Sequence, residues 1–222
     1  PAANTLQADV PASLNKVAPA AQLSSDSRPV ADGDVFFAYP GDDADGRTFI
    51  AHAIQKGARA VVYEADGFNW DGTWTVPHLA VAGLKKNAGP IASAYYDRPD
   101  ARMFTVAVTG TNGKTSCTQW LGHALSRLGE PSVVIGTLGV GLFKRGAHDE
   151  FSATGYTTPD AVLLQRKLAK ARDAGATSVA IEASSIGLAQ GRLDGMHFDA
   201  ALFTNFTRDH LDYHGDMAAY EA

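Results

Sequence analysis

Thr109-Gly110-Thr111-Asn112-Gly113-Lys114-Thr115 follows directly on an apolar run, residues 104–108, and its reading decides the fold. A buried strand entering a glycine-rich turn that ends in Gly-Lys-Thr is a holder for polyphosphate. The glycines let backbone N–H groups face the phosphates, Lys114 reaches the terminal phosphates, and the Thr115 hydroxyl ligates Mg²⁺. A helix predicted over 114–128 adds the positive end of its dipole. The common loop reads G-x-x-x-x-G-K-[ST]. Here Val108 takes the first glycine position, so the pattern shortens to G-x-x-G-K-T and points to a narrower group of ATPases.

Outward from the loop, the spacing predicts an α/β alternation. A helix over 118–128 gathers Trp120, Leu121, Ala124, Leu125 and Leu128 on one face, read as core, with Gly129 as its stop. A short buried strand is expected at 132–135. Thr158-Pro159-Asp160 reads as a helix start, with the Thr158 hydroxyl as cap, and that helix runs to Ala174 and stops at Gly175. Two apolar strands, 178–183 and 200–204, look like parallel strands buried on both faces. Together these predict a P-loop-type, mainly parallel sheet with helices on both sides.

Ligands of such sheets bind at the carboxyl ends of strands, which places Glu182 where a carboxylate could hold Mg²⁺. The last strand runs into Asn205-Phe206-Thr207-Arg208-Asp209-His210-Leu211-Asp212-Tyr213-His214-Gly215, again on the ligand edge. His210 and His214 have the i, i+4 spacing of a zinc pair. A third ligand is not evident, however, and Gly215 argues against a continuing helix. His210 suits a second Mg²⁺ better, and His214 is read as structural.

Before the loop, Asp97-Arg98-Pro99-Asp100 reads as a linker. The first block opens with a polar, Ala-rich lead. Strands are expected at 34–39 and 58–64, and helices at 49–56 and 91–97, the last with Pro90 in its first turn. Two decoys are set aside. The run 136–141 is glycine-rich but lacks the dinucleotide order, and 42–46 resembles a calcium loop but, with Gly46 as its turn glycine, puts Gly41 first and His52 last where carboxylates are needed.

The bulk composition narrows the function classes. The chain has 222 residues, 45% hydrophobic and 19% charged, enough for one large or two smaller domains. A net charge of -5 without a Lys/Arg run gives no reason to expect nucleic acid. No uninterrupted apolar span is long enough for a membrane, and Pro1 to Val10 lacks the order of a signal peptide. The single cysteine, Cys117, is read as a packing residue and fits a reducing compartment. A cytoplasmic monomer is expected.

The phosphate loop, Glu182-Ala183-Ser184-Ser185 and the 205–215 segment jointly resemble the Mur ligases of peptidoglycan synthesis. Within them the likeness is greatest to the members that add the third peptide residue. Ser25-Asp26-Ser27-Arg28 and the stretch from Gly33 to Arg47 resemble that group's uridine-diphosphate-binding domain. The resemblance implies an N-terminal α/β domain, 1–98, that binds UDP-N-acetylmuramoyl substrate. It further implies an incomplete central ATP-binding domain, 99–222, with a C-terminal amino-acid-binding domain absent. It also implies roles by position. Ser25, Ser27, Asp42, Asp43 and Ala44 contact the UDP moiety. Gly110, Thr111, Asn112, Gly113, Lys114, Thr115 and Ser116 hold ATP. Thr157, Thr158, Ser184, Gln190 and Arg192 bind the muramoyl dipeptide, and Thr115, Glu182 and His210 form the Mg²⁺ site, with Lys114, Glu182 and His210 catalytic.

The implied partners are UDP-N-acetylmuramoyl-L-alanyl-D-glutamate, ATP and a diamino acid, meso-diaminopimelate or L-lysine, joined through an acyl phosphate. Tyr156 and Ile186 depart from the residues of many relatives, Asn and His respectively. Another P-loop enzyme, such as a folylpolyglutamate-type ligase or a small-molecule kinase, and a non-catalytic UDP-sugar-binding module remain alternative readings at this point.

Overall fold

A computed structural model describes residues 2–42 and 44–222, with the side chains described from Val10 onward. The chain divides into two compact units, residues 1–97 with 161–166, and residues 98–160 with 167–222. The division therefore groups 161–166 with the first unit, where the sequence reading has them in the second block.

The first unit opens with helix α1 (Ala2–Val17), where the sequence suggested only a polar lead. The missed signal is the helical spacing of Val10, Leu14, Val17 and Ala18, which pack into the core. Strands β1 (Leu23–Ser24), β2 (Val35–Ala38), β3 (Ala60–Glu64) and β4 (His78–Val81) form a wholly parallel sheet in that order. Helix α2 (Ile50–Gln55) follows a 3-10 turn at Gly46–Phe49.

Alternate residues of one strand serve opposite faces of the sheet. Val35 and Phe37 pack with Leu14 of α1 and with Leu84 and Ile91 of helix α3 (Leu84–Tyr95). Phe36 and Ala38 pack with Ile50 and Ala53 of α2. Burial on both sides explains the unbroken apolar runs of β2 and β3. The sequence reading started α3 seven residues too late. Its true start is capped from a distance, because the Glu64 carboxylate accepts the N–H groups of Gly83 and Leu84 at 3.0 and 2.7 Å. That cap holds the first turn, and Pro90 then sits inside the helix.

The second unit holds a six-stranded sheet of order β10-β5-β9-β6-β7-β8. Its members are β5 (Phe104–Thr109), β6 (Ser132–Gly136), β7 (Gly139–Lys144), β8 (Ala147–His148), β9 (Ser178–Glu182) and β10 (Ala200–Phe203). The strands β10, β5, β9 and β6 run parallel, and the hairpin β7–β8 extends the sheet antiparallel. This unit also holds α4 (Lys114–Ser126), α5 (Ala161–Asp173) except for its first six residues, which group with the first unit, α6 (Ser185–Ala189), α7 (Leu211–His214) and α8 (Met217–Glu221).

Three expectations need correction here. Of the α4 stripe built on Trp120, Leu121 packs against the core of Val134, Phe143 and Ala180, but Trp120 and Leu128 are not core, at 71% and 84% exposed. The face of α4 that meets the sheet is Thr118, Gly122 and Ser126, spaced i, i+4, i+8. A Cβ on Gly122 would collide with the Val134 side chain, so close approach of helix to sheet selects small residues over large apolar ones. Secondly, β10 is not buried on both faces. It is the outermost strand, all four residues are exposed, and Phe203 is 62% exposed. Apolar composition does not tell a central strand from an edge strand. Thirdly, the Thr158 hydroxyl does not cap α5, which begins at Ala161; it donates to the Glu182 carbonyl at 2.8 Å.

Candidate functional site

The register of the parallel strands brings their carboxyl ends together. Val108 pairs with Glu182, Ile181 with Ile135, and Thr109 with Phe203. The phosphate loop, Glu182, Thr137 and Thr204 therefore share one edge of the sheet, the edge where open α/β sheets bind ligands.

The loop is braced from the next strand over. Thr111 and Asn112 donate their N–H groups to the Asn205 carbonyl and side-chain oxygen, at 2.8 and 3.1 Å. The Asn205 amide and the Thr204 hydroxyl both donate to the Asn112 carbonyl, at 2.9 and 2.7 Å. Gly110 has φ +115°, and a Cβ there would strike Thr204, so only glycine allows this approach. Gly113, at φ +87°, turns the chain into α4. Behind the loop the Thr111 hydroxyl takes the N–H of Thr207 at 2.9 Å and lies 3.0 Å from the Tyr220 hydroxyl.

Lys114 folds back over this loop and donates to the carbonyls of Gly110 and Thr111, at 2.6 and 3.0 Å. Burial pushes its ammonium group down from the ordinary lysine value, opposed by the negative charges of Glu182 and Asp209. A phosphate would give that cation a stronger acceptor than two neutral carbonyls.

Glu182 is 1% exposed and has no ion-pair partner among the described residues. Its carboxylate accepts the Thr115 hydroxyl at 3.1 Å, the Thr137 N–H at 2.9 Å and the Thr137 hydroxyl at 3.2 Å. All three donors are neutral and the Lys114 ammonium acts on Glu182 without forming an ion pair, so the buried charge has room for a further cation. Hydroxyl and carboxylate oxygens are hard donors of the kind Mg²⁺ takes, and the residues present fit that ion. His210 lines the same cleft from the start of α7, with a left-handed backbone at φ 51°. No group of three His, Cys, Asp or Glu side chains able to hold a metal occurs among the described residues. His214 turns away: its Nε2 lies 3.0 Å from the Ser185 hydroxyl, on a second cavity that Gly110 also lines.

The cleft in front of the loop measures about 500 Å³ and contains Lys114, Thr115, Glu182 and His210 on one side. Thr157, Thr158, Ser184 and Arg192 line it as well. Thr158 and Ser184 pair their hydroxyls at 2.9 Å, and Ser184 caps α6 by accepting the Gly187 N–H. Arg192 is held on three sides, by the Thr158 carbonyl at 2.8 Å, by Gln190 at 2.8 Å, and over the Tyr156 ring at 4.6 Å. Ser116 and Gln190 do not line the cleft; Gln190 acts on it through Arg192. Tyr156 and Ile186, singled out only as departures, are wall residues. Thr137, set aside within a glycine-rich run, is the residue that sequence reasoning missed. Its signal was position, just past a strand that ends beside Glu182.

In the first unit, Ser25 follows β1, and Asp42 and Ala44 follow β2, so these positions share the carboxyl edge of that sheet. Asp43 lies outside the described residues. Ser27 is buried, with its hydroxyl 3.1 Å from His52 Nδ1. Asp42 pairs with Lys85 at 2.5 Å. Charged pairs Asp26–Arg28 and Asp45–Arg47 flank the edge, each forked through two guanidinium nitrogens. In both, the guanidinium holds the carboxyl below its ordinary range.

No helix among the described residues is long and apolar enough to cross a membrane. Comparison with known proteins places both units. A diaminopimelate-adding ligase of Janthinobacterium sp. (strain Marseille), named UDP-N-acetylmuramoyl-L-alanyl-D-glutamate--2,6-diaminopimelate ligase, is 71% identical over 204 residues. That match covers 92% of this chain and 40% of the relative. The protein of the same name from Ralstonia nicotianae is 49% identical over 227 residues, covering 100% and 42%. The chain thus spans about two fifths of the length of these curated relatives.

A solved structure of that name aligns with TM-score 0.69 and 30% identity over 93% of this chain and 42% of the other. A MurF ligase of Thermotoga maritima, solved in complex with ADP, shares the fold at TM-score 0.62 and 21% identity, covering 90% and 41%. The domain described as Mur ligase family, catalytic domain, matches residues 20–96, and the Mur ligase middle domain matches 108–222. With the second match alone spanning just over half of its residues, this chain belongs to the Mur ligase family.

Proposed function

We propose that this chain supplies two parts of an ATP-dependent ligase. Residues 1–98 would hold a UDP-N-acetylmuramoyl dipeptide, and residues 99–222 would hold ATP and the reacting carboxylate. The product is an amide between the D-glutamate of UDP-N-acetylmuramoyl-L-alanyl-D-glutamate and a diamino acid, meso-diaminopimelate by the names of the relatives. One observation carries the reading. Phosphate loop, buried Glu182 and the Arg192 guanidinium open onto one cleft, so a polyphosphate and a carboxylate can meet there. ATP and UDP-sugars are cytoplasmic metabolites, which makes the cytoplasm the compartment of this reaction.

The barrier to such a reaction is repulsion between carboxylate and triphosphate. Lys114 exchanges its loop carbonyls for phosphate oxygens, and the loop N–H groups beyond those of Thr111 and Asn112, which Asn205 takes, hold the phosphates in line. Arg192, already held over the Tyr156 ring and fixed at Thr158, presents its remaining N–H groups to the substrate carboxylate. Thr115, Glu182 and His210 would hold Mg²⁺, which when bound neutralises phosphate charge. Phosphoryl transfer to the D-glutamate carboxylate gives an acyl phosphate; the incoming amine forms the new C–N bond as phosphate leaves.

The test is ADP release by the full-length gene product with the UDP-dipeptide and either meso-diaminopimelate or L-lysine. Release that requires both the UDP-dipeptide and one diamino acid is expected. Release independent of the UDP-dipeptide, or absent with both amino acids, overturns the reading.

A further inference from the structure

Thr137 holds the Glu182 carboxylate by two different groups. Its backbone N–H reaches Oε1 at 2.9 Å, and its hydroxyl lies 3.2 Å from Oε2. The same hydroxyl lies 3.1 Å from that of Thr157, across the cleft wall. An ionised carboxylate only accepts, so the single Thr137 proton points to Glu182, and the Thr157 proton points to Thr137. Gly136 completes the seat, since a Cβ at that position would fall on the carboxylate itself. The Thr115 hydroxyl also reaches Oε2, so both oxygens are fixed and the acid is restricted to one orientation.

We infer that Thr137 is a positioning residue that aims the Glu182 carboxylate at a divalent cation and connects it to Thr157. Outer-shell partners of a ligating carboxylate set its direction, and losing one weakens metal binding on the order of tenfold or more. The inference rests on the proposed cation role of Glu182. A purely structural Thr137, satisfying a buried acid, would alter stability and leave cation affinity alone.

Binding of Mn²⁺ to the full-length gene product, read by electron paramagnetic resonance with a non-hydrolysable ATP analogue, separates these cases. Thr137→Val keeps the N–H and removes the hydroxyl; it is expected to weaken Mn²⁺ binding about tenfold. Thr137→Ser is expected to restore it, and binding of the analogue in EDTA is expected to stay as in the parent. Should the valine form unfold, Thr137→Ala below its melting temperature carries the same comparison. Parent-like Mn²⁺ affinity in the hydroxyl-free variant overturns the inference while leaving the cation role of Glu182 standing. Absence of bound Mn²⁺ in the parent protein overturns both.

Discussion

The ligand edges of the two sheets are built by opposite means. In the first unit two charged pairs join close neighbours in sequence, Asp26 with Arg28 and Asp45 with Arg47, while Asp42 with Lys85 reaches further. In the second, three residues of the phosphate loop are held by residues more than sixty positions away, Thr115 by Glu182, Asn112 by Asn205 and Thr111 by Thr207. Local pairs at a surface form and break with little consequence for the fold. Braces between distant segments exist only when the whole sheet is assembled, and they fix atoms to the tolerances that phosphoryl transfer needs. The first edge is suited to gripping a ligand and the second to acting on one.

The comparison can be broken most severely at Lys114. Lys114→Ala is expected to lower ADP release by about 10²–10³-fold, the scale of losing one preorganised charge donor. Binding of the UDP-dipeptide to the first unit, measured by calorimetry, should stay unchanged. Coupled loss of both would show that the two edges are not separate devices.

Next in size is the seat of α4. Gly122→Val should destabilise the protein by about 1–3 kcal/mol in urea unfolding, because Val134 already fills the space. Trp120→Gln on the exposed face should stay within about 0.5 kcal/mol of the parent. A reversal of that order would reinstate the Trp120 stripe as core.

Glu64→Gln sharpens the contrast inside the first unit, where the α3 cap, like Asp42 with Lys85, departs from local pairing. It keeps one acceptor but loses the charge at a helix start, and should cost about 1 kcal/mol by the same unfolding assay.

The smallest effect belongs to Asp45→Asn, at most about 1 kcal/mol at neutral pH for a pair whose carboxylate is still reached by solvent. Its sign with pH is definite. The hydrogen bond from Arg47 lowers the Asp45 carboxyl from its ordinary 3.8. The pair therefore stabilises above that value and is lost as pH falls through the lower native one. The variant should show a shallower loss of stability on the acid side, seen by thermal melts between neutral pH and pH 3.

These contrasts also explain what could be read without coordinates. The phosphate loop and Glu182 were legible because their chemistry is carried by contiguous residues at the end of an apolar run. The seat of Glu182 was not, since Thr137, Gly136 and Thr115 come from separate segments that only the strand order joins. Helix α3 was misplaced for the same reason, its cap being twenty residues away at Glu64. The α4 stripe failed differently: apolar periodicity assumes that size marks the buried face, whereas here clearance decides, and Thr118, Gly122 and Ser126 face inward. The first-unit edge, local in its pairing, was outlined by its own Ser-Asp-Ser-Arg segment, although that segment alone does not show that Ser27 is buried against His52.

Gly136 carries a last consequence. The space that receives the Glu182 carboxylate is a missing methyl group, so the site depends on an atom that was never there. A saturation library across residues 104–204 should therefore find intolerance at positions 110 and 136 close to that at Lys114, although neither glycine lines the cleft. A map of mutational tolerance would outline the cleft partly by its empty volume, as a mould is known from its hollow.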